Sequence, residues 1–180
     1  MKELTKVEAL QLFQTIDKEL EKIGEKVQIT VLGGLAIILQ EFRKRSTFDI
    51  DIAPTPYSKP FEEICKKLKI PLDIVTLAST VDLETAKRTN QFSGKYLVVE
   101  AITATDLIKL KLERFRKQDP EDIFAIIDKT VLPYPAFKTL VQEMLLDFIG
   151  NPKGLLLSAQ EVVERKYPQS LDDFVGSVKI

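Results

Sequence analysis

The chain has 180 residues, enough for one domain or for a compact core with a helical appendage. Apolar residues at 44% and charged residues at 29% describe a soluble globular protein, and a net charge of −1 argues against strong non-specific nucleic-acid binding. Cys65 is the single cysteine, so no intramolecular disulfide forms, and the complete absence of histidine removes the commonest general base, the usual serine and cysteine triads and any imidazole zinc site.

Residues 3–23 read as an amphipathic helix, with Leu4, Val7, Leu10, Leu12, Phe13, Ile16, Leu20 and Ile23 at three- and four-residue steps and Gly24 as its stop. The opening MKELTKVEALQLF is charged and helical, unlike a signal peptide. No run nears the ~20 apolar residues of a membrane span, so a cytoplasmic location is expected. Gln28 to Leu32 reads as a buried strand, broken at Gly33-Gly34 and followed by an apolar helix to about Phe42. A second strand then carries Asp49 and Asp51. Side chains two apart share a face, so these carboxylates should converge with Thr47, while Phe48, Ile50 and Ile52 turn into a core. Paired carboxylates repel unless a cation lies between them, and hard oxygen ligands suit Mg²⁺ with waters and phosphate oxygens completing its shell. Glycine lets backbone approach a phosphate closely, and a following helix start favours an anion. Arg45 is placed to hold the acidic strand or a triphosphate, and the Thr47 hydroxyl to orient a carboxylate.

Ala53-Pro54-Thr55-Pro56 ends that strand, and residues 60–69 read as a helix with Cys65 on its apolar side. Ile70 to Leu77 reads as a third strand. Its Asp73 lies between Leu72 and Ile74, where a lone buried carboxylate needs a partner or a metal. Glu100, in the strand Tyr96 to Ile102, is the alternative acid. Residues 87–94 are polar and read as an exposed edge ending in a turn at Ser93-Gly94. A helix begins near Thr103, and Asp119-Pro120-Glu121-Asp122 reads as a further helix start with Asp119 as its cap. Val131 to Pro135 is a linker, and helices are expected over 136–149 and 156–166. The organisation expected is a core over 1–103 and a helical region over 104–180 that packs on the core and completes its site.

The ordered set of strand, Gly33-Gly34, helix and Arg45-x-Thr47-x-Asp49-Ile50-Asp51 resembles the nucleotidyltransferase fold of the DNA polymerase β superfamily. Its Arg-x-Thr-x-Asp-Ile-Asp form resembles the abortive-infection (AbiEii-like) branch. Lys111, Arg116 five positions on, and Asp119 with Asp122 resemble that branch's second signature, with a departure at Gln118, where the family more often has lysine. The resemblance implies an α/β (α+β) fold, a mixed sheet flanked by helices with a C-terminal helical region. It also implies metal-dependent transfer of an NMP from an NTP. Asp49 and Asp51 would bind two Mg²⁺ ions, joined by a third acid on a neighbouring strand, Asp73 or Glu100. Gly33 and Gly34 would cradle the triphosphate beside Arg45 and Thr47. Lys111 and Arg116 would neutralise it, supported by Asp119 and Asp122. The same resemblance implies a toxin of a toxin–antitoxin or phage-defence system, with a tRNA or protein acceptor, an antitoxin partner and no membrane association. Two other readings stay open: a non-catalytic nucleotide-binding protein on this fold, and an interaction module working through its C-terminal helices. The sequence does not set the oligomeric state.

Overall fold

The computed structural model describes residues 3–56, 58–76 and 78–179. The chain divides into two compact units, Met1–Leu77 with Leu83–Thr103, and Ala78–Asp82 with Ala104–Ile180. Among the described residues no helix is long and apolar enough to cross a membrane.

The first unit is built on a five-stranded mixed sheet flanked by helices. Helix α1 (Lys6–Ile23) starts at a capping box, in which the Thr5 side chain accepts from the Glu8 N–H and the Glu8 carboxylate accepts from the Thr5 N–H. It ends at Gly24 in the left-handed conformation (φ 73°). Its core face is Ala9, Phe13, Ile16 and Leu20, whereas Val7 and Ile23 are exposed. Strand β1 (Val27–Val31) leads into α2 (Gly33–Leu39), which stops short of Phe42, with Glu41 at positive φ just beyond it. Then follow β2 (Ile50–Ile52), α3 (Lys59–Lys67), β3 (Leu72–Ile74), β4 (Arg88–Ser93) and β5 (Leu97–Ile102). Cys65 is buried on α3, and that burial pushes its thiol up to about 12.

The sheet order is β3-β2-β1-β5-β4. β1 runs parallel to β5 and antiparallel to β2, β2 runs parallel to β3, and β4 closes the sheet as the antiparallel edge strand that the polar sequence of 87–94 predicts. The registers Val31↔Ile52, Val31↔Ala101 and Ile50↔Leu72 put Ile29, Val31, Ile50, Ile52, Val99 and Ala101 on one face, all of them buried. The opposite face carries Asp51, Asp73, Thr30 and Glu100 by the same alternation. A carboxylate fastens the β4–β5 turn to α1: Asp17 accepts from the backbone N–H groups of Lys95, Tyr96 and Leu97.

The second unit is helical: α4 (Ala104–Arg114), α5 (Asp119–Thr130), α6 (Tyr134–Asp147), α7 (Pro152–Lys166), a 3₁₀ turn Pro168–Ser170 and α8 (Leu171–Ser177). Its core includes Ile123, Ile126, Phe137, Val141, Ala159, Val162 and Phe174. The segment 78–82 belongs here because Glu113 on α4 grips it. That carboxylate accepts from the N–H groups and the hydroxyls of both Ser79 and Thr80. Helix α8 lies beyond the last helix expected from the sequence, over 156–166.

Candidate active site

Asp49 and Asp51 sit where β1 turns into α2 and the chain enters β2. Strand β2 begins only at Ile50, so Asp49 lies in a bend before it rather than in the strand. What fixes that bend is Thr47. Its backbone exchanges hydrogen bonds with Leu4, the N–H donating at 3.0 Å and the carbonyl accepting at 2.7 Å. Its buried hydroxyl donates to Asp49 Oδ1 at 2.8 Å. The bend also corrects the place of Phe48, which is 47% exposed instead of joining Ile50 and Ile52 in the core. It borders a cleft of about 350 Å³ with Leu4, Leu12, Leu68, Ile70 and Pro71.

Asp51 is the central residue of β2 and is directly paired with Asp73 on β3. Residues paired in this way point to the same face, so the parallel ladder sets a second carboxylate beside the first. Asp73 is exposed on the short edge strand, so the expected penalty of a lone buried carboxylate does not arise. Glu100 lies on the same face but on β5, with β1 standing between its strand and β2. Its carboxylate accepts from Gln28 Nε2 at 2.8 Å.

The two glycines have a reason that the sequence does not disclose. Gly33 has φ 54°, and a Cβ built on it would stand 1.9 Å from Asp51 Oδ2. A Cβ on Gly34 would stand 2.9 Å from Thr47 Oγ1 and 3.0 Å from Arg45 Nη2. The bare backbone therefore makes room for this chain's own Asp51, Thr47 and Arg45. Gly33, Gly34, Arg45, Thr47, Asp49 and Asp51 form one neighbourhood, with Asp73 joined to it through β3.

Among the described residues no group of three or more acidic, cysteine or histidine side chains is gathered closely enough to hold a metal ion. The donor set instead fits a cation that takes one or two carboxylates from the protein and its other oxygens from waters and substrate phosphates, the usual habit of Mg²⁺. Asp49 and Asp51 are hard donors of the right kind, and Thr47 already orients one of them.

The other predicted residues lie in the helical unit. Lys111 on α4 is buried and donates to Asp119 Oδ1 at 2.9 Å and Asp122 Oδ2 at 2.7 Å. Asp119 is not the helix cap, which is Gln118, but the first residue of α5. Burial alone would raise its carboxyl, but the charge of Lys111 and hydrogen bonds from Arg114, Lys111 and the Arg116 N–H outweigh this and hold it below the usual carboxylate range. Arg116 is exposed on the turn between α4 and α5. Sequence reasoning missed Arg114, whose guanidinium meets both Asp119 oxygens, each at 3.0 Å. Its separation of three from Lys111 on one helix was the available signal.

A family model described as "Nucleotidyltransferase of unknown function (DUF6036)" matches residues 8–149. Comparisons with curated proteins and with solved structures gave no match.

Proposed function

The chain belongs to this DUF6036 family of nucleotidyltransferases, and from that premise we propose that it transfers an NMP from an NTP to a hydroxyl of a nucleic-acid or protein acceptor, in a Mg²⁺-dependent reaction. The observation that carries this reading is the close fit of Asp51 over Gly33 beside a Thr47-oriented Asp49. In the reaction the acceptor oxygen bonds to the α-phosphorus, the bond from that phosphorus to the β-phosphate bridge breaks, and pyrophosphate leaves. Bound Mg²⁺ supplies charge neutralisation and in-line alignment of the entering and leaving oxygens. Asp49 and Asp51 would hold the ions. Thr47 keeps Asp49 in its orientation, and Arg45, lodged over Gly34, sets positive charge beside the acids. The Gly33-Gly34 backbone takes the triphosphate alongside them. Asp73, beside Asp51 on the same face, would serve the acceptor side, helping to hold a second ion and receiving the hydroxyl proton. Its exposure at the sheet edge is compatible with meeting a macromolecule.

The test is a titration of the protein with each NTP, with and without Mg²⁺, beside the Asp49→Ala/Asp51→Ala variant. Magnesium-dependent binding that disappears in the variant supports the site. Binding that survives the loss of both acids removes it. The Arg45-x-Thr47-x-Asp49-Ile50-Asp51 form supports a further step, that the protein acts as a toxin of the abortive-infection kind with a cognate antitoxin. Growth arrest on expression, relieved by Asp51→Ala, is the expected result; arrest that Asp51→Ala leaves intact excludes it.

A further inference from the structure

We propose that Lys111 is a positioning residue, the internal counter-ion that locks α4 to α5 and fixes the turn carrying Arg116, and that it does not itself bind phosphate. Its ammonium donates to Asp119 at 2.9 Å and to Asp122 at 2.7 Å, and the three side chains are 2%, 2% and 0% exposed. An ammonium has three donors. Two are directed at carboxylates inside the helical core, and a phosphate could reach the third only by opening that core. Asp119 extends the lock to the turn. Its Oδ1 also accepts from Arg114 Nη2, while its Oδ2 accepts from Arg114 Nε and, at 2.7 Å, from the backbone N–H of Arg116. The carboxylate that Lys111 neutralises is therefore the one that holds the backbone at Arg116. Lys111 compensates both buried carboxylates and the 43% exposed Arg114 adds a second positive partner to Asp119, so neither buried acid lacks a counter-charge. Arg116 is the opposite case. Its side chain is exposed just past the end of α4, so it is the member of the Lys111–Arg116 pair that a phosphate can approach.

The lock and the nucleotide reading are tested by different measurements on the full chain, and only the nucleotide arm rests on the proposed transfer activity. Lys111→Met and Asp122→Leu each unbalance the cluster, and each is expected to lower the thermal midpoint and speed amide exchange at Arg116. Lys111→Met/Asp122→Leu replaces the pair with apolar volume while Asp119 keeps Arg114 and the Arg116 N–H. It is expected to recover most of the midpoint and the Arg116 protection, and to bind each NTP with Mg²⁺ as the parent does. A double variant no more stable than the singles overturns the lock. A double variant that is stable but binds NTP about tenfold more weakly or worse shows that the ammonium does reach the phosphates. If the parent binds no NTP, the transfer reading fails by itself, and the midpoint and exchange results still decide the lock.

Discussion

Replacing Gly33 with alanine separates backbone strain from damage to the acidic site. Gly33 has φ 54°, and an added Cβ would lie 1.9 Å from Asp51 Oδ2 and 2.9 Å from its Cγ. A left-handed L-residue costs about 1–2 kcal/mol. The carboxylate oxygen must retreat by about 1 Å to reach even a tight contact, and an off-rotamer side chain adds about 0.5–1.5 kcal/mol. The expected loss of stability is therefore about 1.5–3.5 kcal/mol, which for a chain of this size lowers the midpoint by roughly 3–14 °C. On the proposed reading of Asp51 as a metal ligand the functional loss should be disproportionate, because a misplacement of about 1 Å at a reacting site costs on the order of 100-fold in rate. Gly24→Ala is the matched control. It has φ 73° and nothing within 4 Å of the added Cβ, so it carries the backbone cost alone. Thermal unfolding and Mg²⁺-dependent NTP binding of the two variants check the argument. Equal binding losses in Gly33→Ala and Gly24→Ala, or normal binding in Gly33→Ala, would refute it.

Thr47→Val keeps the shape but removes the donor to Asp49 Oδ1. A cost of about 1 kcal/mol in stability is expected, with a larger proportional loss of Mg²⁺-dependent NTP binding than Gly24→Ala shows in a parallel titration. Asp17→Asn weakens the three backbone bonds at the β4–β5 turn. Burial raises this carboxyl, but the hydrogen bonds from Tyr96, Leu97 and Lys95 outweigh it, so the folded value is lowered. A lowered carboxyl contributes its stability above the unfolded value and loses it as pH falls through the folded one. Denaturant titrations of parent and variant should accordingly differ at neutral pH and converge in acid, below about pH 4. Phe61→Ala should cost about 3–5 kcal/mol, as for a fully buried ring, and Phe48→Ala much less because Phe48 is 47% exposed; equal midpoints for the two would place Phe48 in the core after all.

Much of the fold was legible because its signals are local. The apolar steps of α1, its stop at Gly24, and the apolar strand ending in a glycine pair are each read within a few residues. Errors arose where distant residues decide. Period-two reasoning carries a strand back through Asp49 and Phe48, but the chain bends there, pinned by a bridge from Thr47 to Leu4, just ahead of α1. Asp73 and Glu100 both look like acids in apolar strands. The sheet order, with β3 beside β2 and β5 beyond β1, is what puts Asp73 in register with Asp51. The pairing of Lys111 with Asp119 and Asp122 depends likewise on how α4 and α5 pack, which spacing along the chain leaves undetermined.

The glycine pair and the aspartates enter a sequence reading as two motifs, one for phosphate and one for metal. The distances join them. Asp51 can rest against the start of α2 only because Gly33 has no side chain, and Thr47 and Arg45 close over Gly34 for the same reason. Thr47 in turn holds Asp49, so each glycine determines the placement of one acid, Gly33 directly and Gly34 through a hydroxyl. Substitution at either glycine should therefore act on the site as a substitution of its aspartate does. A glycine pair whose only task was to clear a path for phosphate would leave the carboxylates where they are.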